Sequence, residues 1–268
     1  VKAHGVVWLQ DYGILPDRAR GLAPEKLRDA MLAQEKALLD ACGDSFAVWE
    51  AMNEPNVTNV VNMPRDIVAD LFDKSTGQIA SREKLTALVN SAHEGDYGRR
   101  FAVYKLDNTP VNDWNRTYLA YLQGDDVKAT VSQLDAVGLQ FYPGFHFNDS
   151  FGGLQGPATT PSWLIDTIER YAALGKPIHI TEFSLPSTYG KDWVFGYWRE
   201  PWTEQTQADF AETIFTFAYA DPRVQSISWW DIMDTKSSVT SGGLCDANGK
   251  PKLVLERLKK LIAEWKTP

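Results

Sequence analysis

Two glutamates carry the chemistry this sequence offers. Glu54 follows the run Phe46 to Asn53 (FAVWEAMN), and Glu182 follows Ile178 to Thr181 (IHIT). Each acid stands at the polar end of an apolar, strand-like run, where partial desolvation is expected. When two carboxyls face each other, burial and like charge raise the pKa of one, so one keeps its proton at neutral pH while the other stays ionised. Cleavage of a glycosidic bond needs that division: an acid to protonate the leaving oxygen, and a carboxylate to attack carbon or activate water. A lone Glu at a strand end is more often a helix cap or an ion-pair partner, because acids favour helix starts. Two in the same extended frame, each with amide and aromatic neighbours, favour catalysis.

The elements that must position these acids can be read from the pattern. Six strands are expected, at Ala3 to Leu9, Phe46 to Met52, Arg100 to Leu106, Ala136 to Tyr142, Pro177 to Phe183 and Ser226 to Ile232. Helices are expected at Pro24 to Ala41, Arg65 to Ile79, Pro161 to Leu174, Thr203 to Ala220 and Leu253 to Trp265. The first begins with Pro, ends at Cys-Gly, and should pack Leu27, Met31, Leu38 and Leu39 on a sheet. Strands that are apolar throughout, alternating with helices, mark a parallel sheet covered by helices. No Gly-rich phosphate loop follows a strand, and the nearest candidate, Gly152-Gly153, falls in a long loop. A barrel is therefore favoured over a nucleotide-binding fold.

In such a barrel the C-terminal strand ends converge on one mouth. Groups able to hold a sugar fall at those ends: His4 and Trp8, Asn53 and Glu54, Asp107 and Asn108, Gln140 and Tyr142, Glu182, and Trp230 with Asp231 and Asp234. Gln140 and Tyr142, two residues apart, share a strand face. Loops 143–160 and 186–201 follow strands and should wall the mouth. Ten tryptophans in 268 residues exceed what a core needs, and Trp193, Trp198 and Trp202 are candidates for stacking on sugar rings.

The net charge of -8 disfavours nucleic acid or an anionic membrane, since phosphate binding needs clustered Lys and Arg. No run approaches the roughly 20 apolar residues of a membrane helix. The start, VKAHGVVWLQ, has neither a signal-peptide layout nor a Met, so the chain is expected to begin inside a longer gene product. Cys42 and Cys245 are read as small buried residues rather than a disulfide framework, and with no Cys or His at ligand spacing no metal is expected. His93 and His146 have no partner at helical or strand spacing, and His179, flanked by Ile178 and Ile180, is read as structural. Glu200 and Glu204 are read as helix N-terminal caps. Asn56, Asn115 and Asn148 open formal glycosylation sequons, which identify nothing.

The segments VKAHGVVW, WEAMNEP, VGLQFYP, IHITEF and ISWWDIMD, closed by GGLCDANGKPKLVLERL, resemble in order and spacing the strand motifs of glycoside hydrolase family 10, the retaining endo-1,4-β-xylanases of clan A. The resemblance implies a (β/α)8 TIM-barrel glycosidase fold, with residues 1–268 forming one catalytic domain that covers strands three to eight. It implies that Glu54 is the general acid/base and Glu182 the nucleophile. Asn53 would bond the sugar 2-hydroxyl, and His4, Trp8, Gln140 and Trp230 would line the sugar site. The reaction would pass through a covalent glycosyl-enzyme, with carboxyls about 5 Å apart. No cofactor is implied. The partner would be a xylan-type polysaccharide or oligosaccharide, with a secreted or extracellular setting as the family expectation.

The departures place the chain at the family's divergent edge. Glu50 stands for the usual Asp, Leu9 for a second histidine, and Tyr142 for the histidine that contacts the nucleophile, where a tyrosine hydroxyl can hold the carboxylate instead. Lys236-Ser237-Ser238 replaces a tryptophan region. The first two βα units have no counterpart, and six strands do not close an eight-stranded barrel without strain, so those units are expected from the parent protein. Three alternatives stay open: another clan A activity such as a β-glucanase or hemicellulase, a catalytically silent carbohydrate-binding relative, and an α/β scaffold whose strand-end acids are structural.

Overall fold

The strand that ends just before Glu54, VWEAMN, and the strand that holds Glu182, IHITEF, are buried along almost their whole length, as strands of a parallel sheet covered on both faces must be. The computed structural model describes residues 2–4, 7–9, 16–55, 63–90, 118–144, 160–190, 198–235, 237 and 239–266. The expected strand at Arg100 to Leu106, with Asp107 and Asn108, lies outside them. So do Gly152-Gly153, Trp193, His93, His146 and the three sequon asparagines. The chain divides into two units, Val1–Gly138 and Leu139–Pro268.

In the first unit, strands β1 (Lys2–Ala3), β2 (Val48–Asn53), β3 (Thr86–Asn90) and the start of β4 (Ala136–Phe141) are hydrogen-bonded in that order, all parallel. Parallel neighbours need crossover connections, and helices α1 (Pro24–Cys42) and α2 (Arg65–Ala80) lie between the strands in sequence as expected. Short helices α3 (Tyr118–Leu122) and α4 (Lys128–Gln133) precede β4. Strand β3 has no counterpart among the expected strands. The expected strand from Ala3 to Leu9 is shorter: β1 ends at Ala3, and Trp8 makes an isolated parallel bridge to Asn53.

Helix α1 begins with Pro24 in its first turn, where a missing N–H costs nothing. Its buried line steps in fours through Leu27, Met31, Glu35 and Leu39. A line of that spacing drifts around the helix, so Leu38, expected in the core, is left 37% exposed and Glu35 takes a core position. Helix α2 buries Leu71, Phe72 and Ile79 completely, and Trp49, Ala51 and Met52 of β2 are equally covered. Each large side chain of this kind stabilises the fold by about 1.5–3 kcal/mol. The register of β2 on β3 shifts between Glu50 and Met52, and the carbonyl of the intervening Ala51 accepts from the Ser75 hydroxyl at 2.6 Å.

In the second unit, β4 leads through α5 (Pro161–Ala172) to β5 (Ile178–Phe183), then through α6 (Glu204–Ala220) to β6 (Val224–Trp229), and α7 (Leu253–Trp265) closes the sequence. β5 pairs with β6 in parallel, and Thr181 Oγ1 and the Ser184 N–H bond the Leu139 and Phe141 carbonyls of β4. β6 occupies Val224–Trp229 rather than Ser226 to Ile232, because its register with β5 slips twice and Trp230 leaves the ladder after one bond to the Phe183 carbonyl. Phe183 meets Phe215 and Trp229 edge to face, and those two rings lie tilted to each other, where β5, β6 and α6 meet. Helix α6 is capped by Thr203 with Thr206 in a reciprocal pair of bonds, so the expectation that Glu200 and Glu204 cap it is corrected. Glu204 instead accepts from the Leu253 N–H at the start of α7.

Candidate active site

In the first unit the site is built where β2 stops. Asn53 and Glu54 are 1% and 4% exposed, so their polar groups face a dry surround. Glu54 has φ 53, a left-handed backbone that a non-glycine residue adopts at a cost of about 1–3 kcal/mol. Such strain persists where the surroundings hold it, and here Pro55 follows and Trp8 reaches across. The Trp8 indole Nε1 donates to Glu54 Oε2 at 2.9 Å, and the Asn53 N–H donates to the Val7 carbonyl at 2.8 Å.

One layer below, Glu50 is fully buried and collects the Lys2 ammonium and the His4 ring, with His4 Nδ1 2.8 Å from Oε2. Burial alone would push the Glu50 carboxyl up, but the bonds and charges of His4 and Lys2 outweigh it and hold it below its usual range. The sequence reading placed His4 in the site yet missed this cluster. The signal was present: Lys2 on β1 and His4 just past its end, two residues apart in an extended run, share a face beside the strand that carries Glu50.

In the second unit Glu182, 5% exposed, sits near the end of β5. Gln140 Nε2 donates to its Oε1 at 3.0 Å, and the Tyr142 hydroxyl donates to its Oε2. The alternation of β4, carried one residue past its end to Tyr142, delivers both donors, so each carboxylate oxygen is fixed by a separate side chain. Trp230 packs against buried Tyr142 and Val239. His179 shares a bond of 2.8 Å with Ser226 Oγ on β6, in line with a structural reading.

Of the aromatic candidates, Trp202 is buried at 1% against Phe210, and a side chain on Gly144 (φ +82) would come within 2.5 Å of its indole, so Trp202 is packing rather than a platform. Trp198 packs edge-on to Phe210 with the Arg199 guanidinium 4.1 Å over its ring. Cys42 and Cys245 are free and partly exposed, which corrects the expectation of buried cysteines. Among the described residues no group of three or more His, Cys, Asp or Glu is arranged to hold a metal ion.

The model of glycosyl hydrolase family 10 matches residues 1–261. Among solved structures, xylanase 10B from Thermotoga petrophila in complex with xylobiose superposes with a TM-score of 0.62 at 16% identity, covering 98% of this chain and 73% of that one. The Thermobacillus composti GH10 xylanase gives 0.63 at 19% identity, over 97% and 75%. A fungal β-1,4-galactanase structure gives 0.60 at 16% identity, over 88% and 68%. No curated protein matches the chain. The fold is thus that of the (β/α)8-barrel glycosidases, and the protein is a glycoside hydrolase. Within that class, the chain belongs to glycosyl hydrolase family 10.

Proposed function

We propose that the protein is a retaining endo-β-1,4-glycosidase acting on xylan or a related hemicellulose. The observation that carries the reading is the double grip on Glu182, whose two oxygens are held by Gln140 and Tyr142 in a buried setting. A carboxylate fixed at both oxygens is oriented to attack rather than to relay a proton through solvent. In the first step Glu54 protonates the glycosidic oxygen while a Glu182 oxygen bonds the anomeric carbon and the leaving sugar departs. In the second, the Glu54 carboxylate takes a proton from water, the water oxygen bonds the same carbon, and the Glu182 ester bond breaks. Asn53 strengthens its bond to the 2-hydroxyl as charge develops, Trp8 holds Glu54, and His4 and Trp230 line the sugar.

Glu182→Gln should abolish turnover of an aryl β-xylobioside with the fold intact by circular dichroism, whereas retained turnover would overturn the assignment. Proton NMR of the first product should show the β anomer before mutarotation. The similarity to a β-1,4-galactanase favours a second reading, another clan A endo-glycosidase. A panel of xylan, galactan, mixed-linkage glucan and mannan separates the two by kcat/KM.

The proposal extends to βα units of the parent protein packing beside β6. Most β6 side chains are partly or fully exposed, and a groove of about 180 Å³ between β6, α6 and α7 is lined by Phe215, Val224, Ile227 and Trp265. Amide exchange along β6 should slow in the full-length parent, and equal exchange would count against this.

A further inference from the structure

Lysine is the residue least expected in a core, yet Lys252, at the start of α7, is only 3% exposed. Its ammonium lies 3.1 Å from Asp234 Oδ1 and donates to the Ser241 carbonyl at 2.7 Å. Burial pulls this ammonium below its usual range, and Asp234 opposes the pull. Asp234 Oδ1 also accepts from the Gly243 N–H at 2.8 Å. The Ser241 carbonyl is a hub as well, accepting from the Ser187 N–H at 3.1 Å and the Ser187 hydroxyl at 2.9 Å. Lys252 therefore ties three segments together: the loop after β6, the loop after β5 and the start of α7.

What the tied loop does is visible at Val239. Fully buried, it forms one apolar cluster with Tyr142, and Trp230 packs on that cluster. The Gly242 N–H closes the turn on the Val239 carbonyl at 2.8 Å, and the Gly242 carbonyl accepts from Ser184 Oγ and Trp229 Nε1. A side chain at Gly242 would come within 2.6 Å of Ser184 Oγ, so the turn fits only a glycine. Tyr142 in turn donates to Glu182.

A buried ion pair is a weak source of stability, because desolvating both charges offsets most of their attraction. Its better-attested role is to specify one arrangement of the groups around it. We infer that Lys252 is a positioning residue for the nucleophile: through Asp234 and Ser241 it fixes the turn that presses Val239 and Trp230 on Tyr142, and so sets the Tyr142 to Glu182 bond. This rests on the reading of Glu182 as nucleophile.

The test compares the full chain with Lys252→Met/Asp234→Asn, which removes both charges at similar volume, and with Lys252→Arg, which keeps the cation. On an aryl β-xylobioside the double variant should lose about tenfold in kcat, on the order of one hydrogen bond's net contribution, with KM changed less than twofold. Lys252→Arg should recover most of that loss. The triple variant that combines these changes with Tyr142→Phe should lose in total little more than Tyr142→Phe loses alone, since both act on one bond. Additive losses, or an unchanged kcat in a folded double variant, overturn the inference. If the unaltered chain proves inactive, the nucleophile reading fails separately. Amide exchange at Gly243 then decides the tie itself: faster exchange in the double variant supports it and equal exchange overturns it.

Discussion

The Tyr142 hydroxyl donates to Glu182 Oε2 from the neighbouring strand, while Gln140, two residues earlier, holds Oε1. A hydrogen bond to a buried carboxylate is charge-assisted, roughly 1.5–3 kcal/mol when its partner is removed. Tyr142→Phe keeps the ring that packs with Val239 and removes only the hydroxyl. It should lower kcat/KM on an aryl β-xylobioside by about 10- to 100-fold, with the melting temperature within a few degrees of the unaltered chain. An unchanged kcat/KM would mean the bond does not serve the reaction.

Glu54 and Trp8 make a second pair that can be tested by leaving group. If Glu54 is the acid, Glu54→Ala should slow glycosylation severely for xylan, whose leaving alkoxide needs a proton. It should do so far less for a dinitrophenyl glycoside, whose leaving group departs unaided. Trp8→Phe, which removes the indole donor 2.9 Å from Oε2, should follow the same ordering at smaller amplitude. Equal losses on both substrates would deny Glu54 the acid role.

Glu50 gives the first unit an acid-sensitive anchor. Its folded pKa is depressed below the ordinary 4.5, so its contribution is fully present above that value and is lost as pH falls through the lower folded value. Glu50→Gln should therefore destabilise the protein by about 2–3 kcal/mol at pH 7, at the low end for a broken buried pair because Lys2 and His4 keep side-chain exposures of 22% and 29%. The difference from the unaltered chain should shrink below pH 4. Urea midpoints at pH 3.5 and pH 7 measure both, and a difference that grows on acidification would contradict the assignment.

How much of this was legible in the sequence follows from separation along the chain. The ends of β2 and β5 could be read because an apolar run that stops at an amide or acid is a local signal. The donors on Glu182 could be read because Gln140 and Tyr142 alternate on one strand. β3, with the sequence TALVN, was not, since five modest residues without turn signals around them resemble many loops. Lys252, Glu50 and Glu35 were missed as buried groups for a different reason. An ionisable side chain defaults to the surface in any sequence reading, and the partners that make burial tolerable lie 18, 46 or 40 residues away.

Glu35 yields the last prediction, opposite in sign to that of Glu50. Its Oε1 lies 2.5 Å from Ser75 Oγ, which in turn lies 2.6 Å from the Ala51 carbonyl. One hydroxyl has one hydrogen and the carbonyl only accepts, so both contacts are hydrogen bonds when Glu35 is protonated and donates to Ser75. Glu35 Oε2 is buried with no hydrogen-bond partner among the described residues, a further cost for an anion. Burial pushes this carboxyl from 4.5 up to about 8, against the bond that Ser75 would donate to the ionised form. The folded state thus holds a proton that the unfolded chain releases: stability is full below about pH 4.5, falls as pH rises, and levels off above about 8. The slope is about 1.4 kcal/mol per pH unit, so the loss over that window is several kcal/mol. Glu35→Gln, neutral at every pH, should match the unaltered chain at pH 4.5 and exceed it in urea midpoint at pH 8. Parallel midpoints across that range would show that Glu35 is ionised in the folded protein.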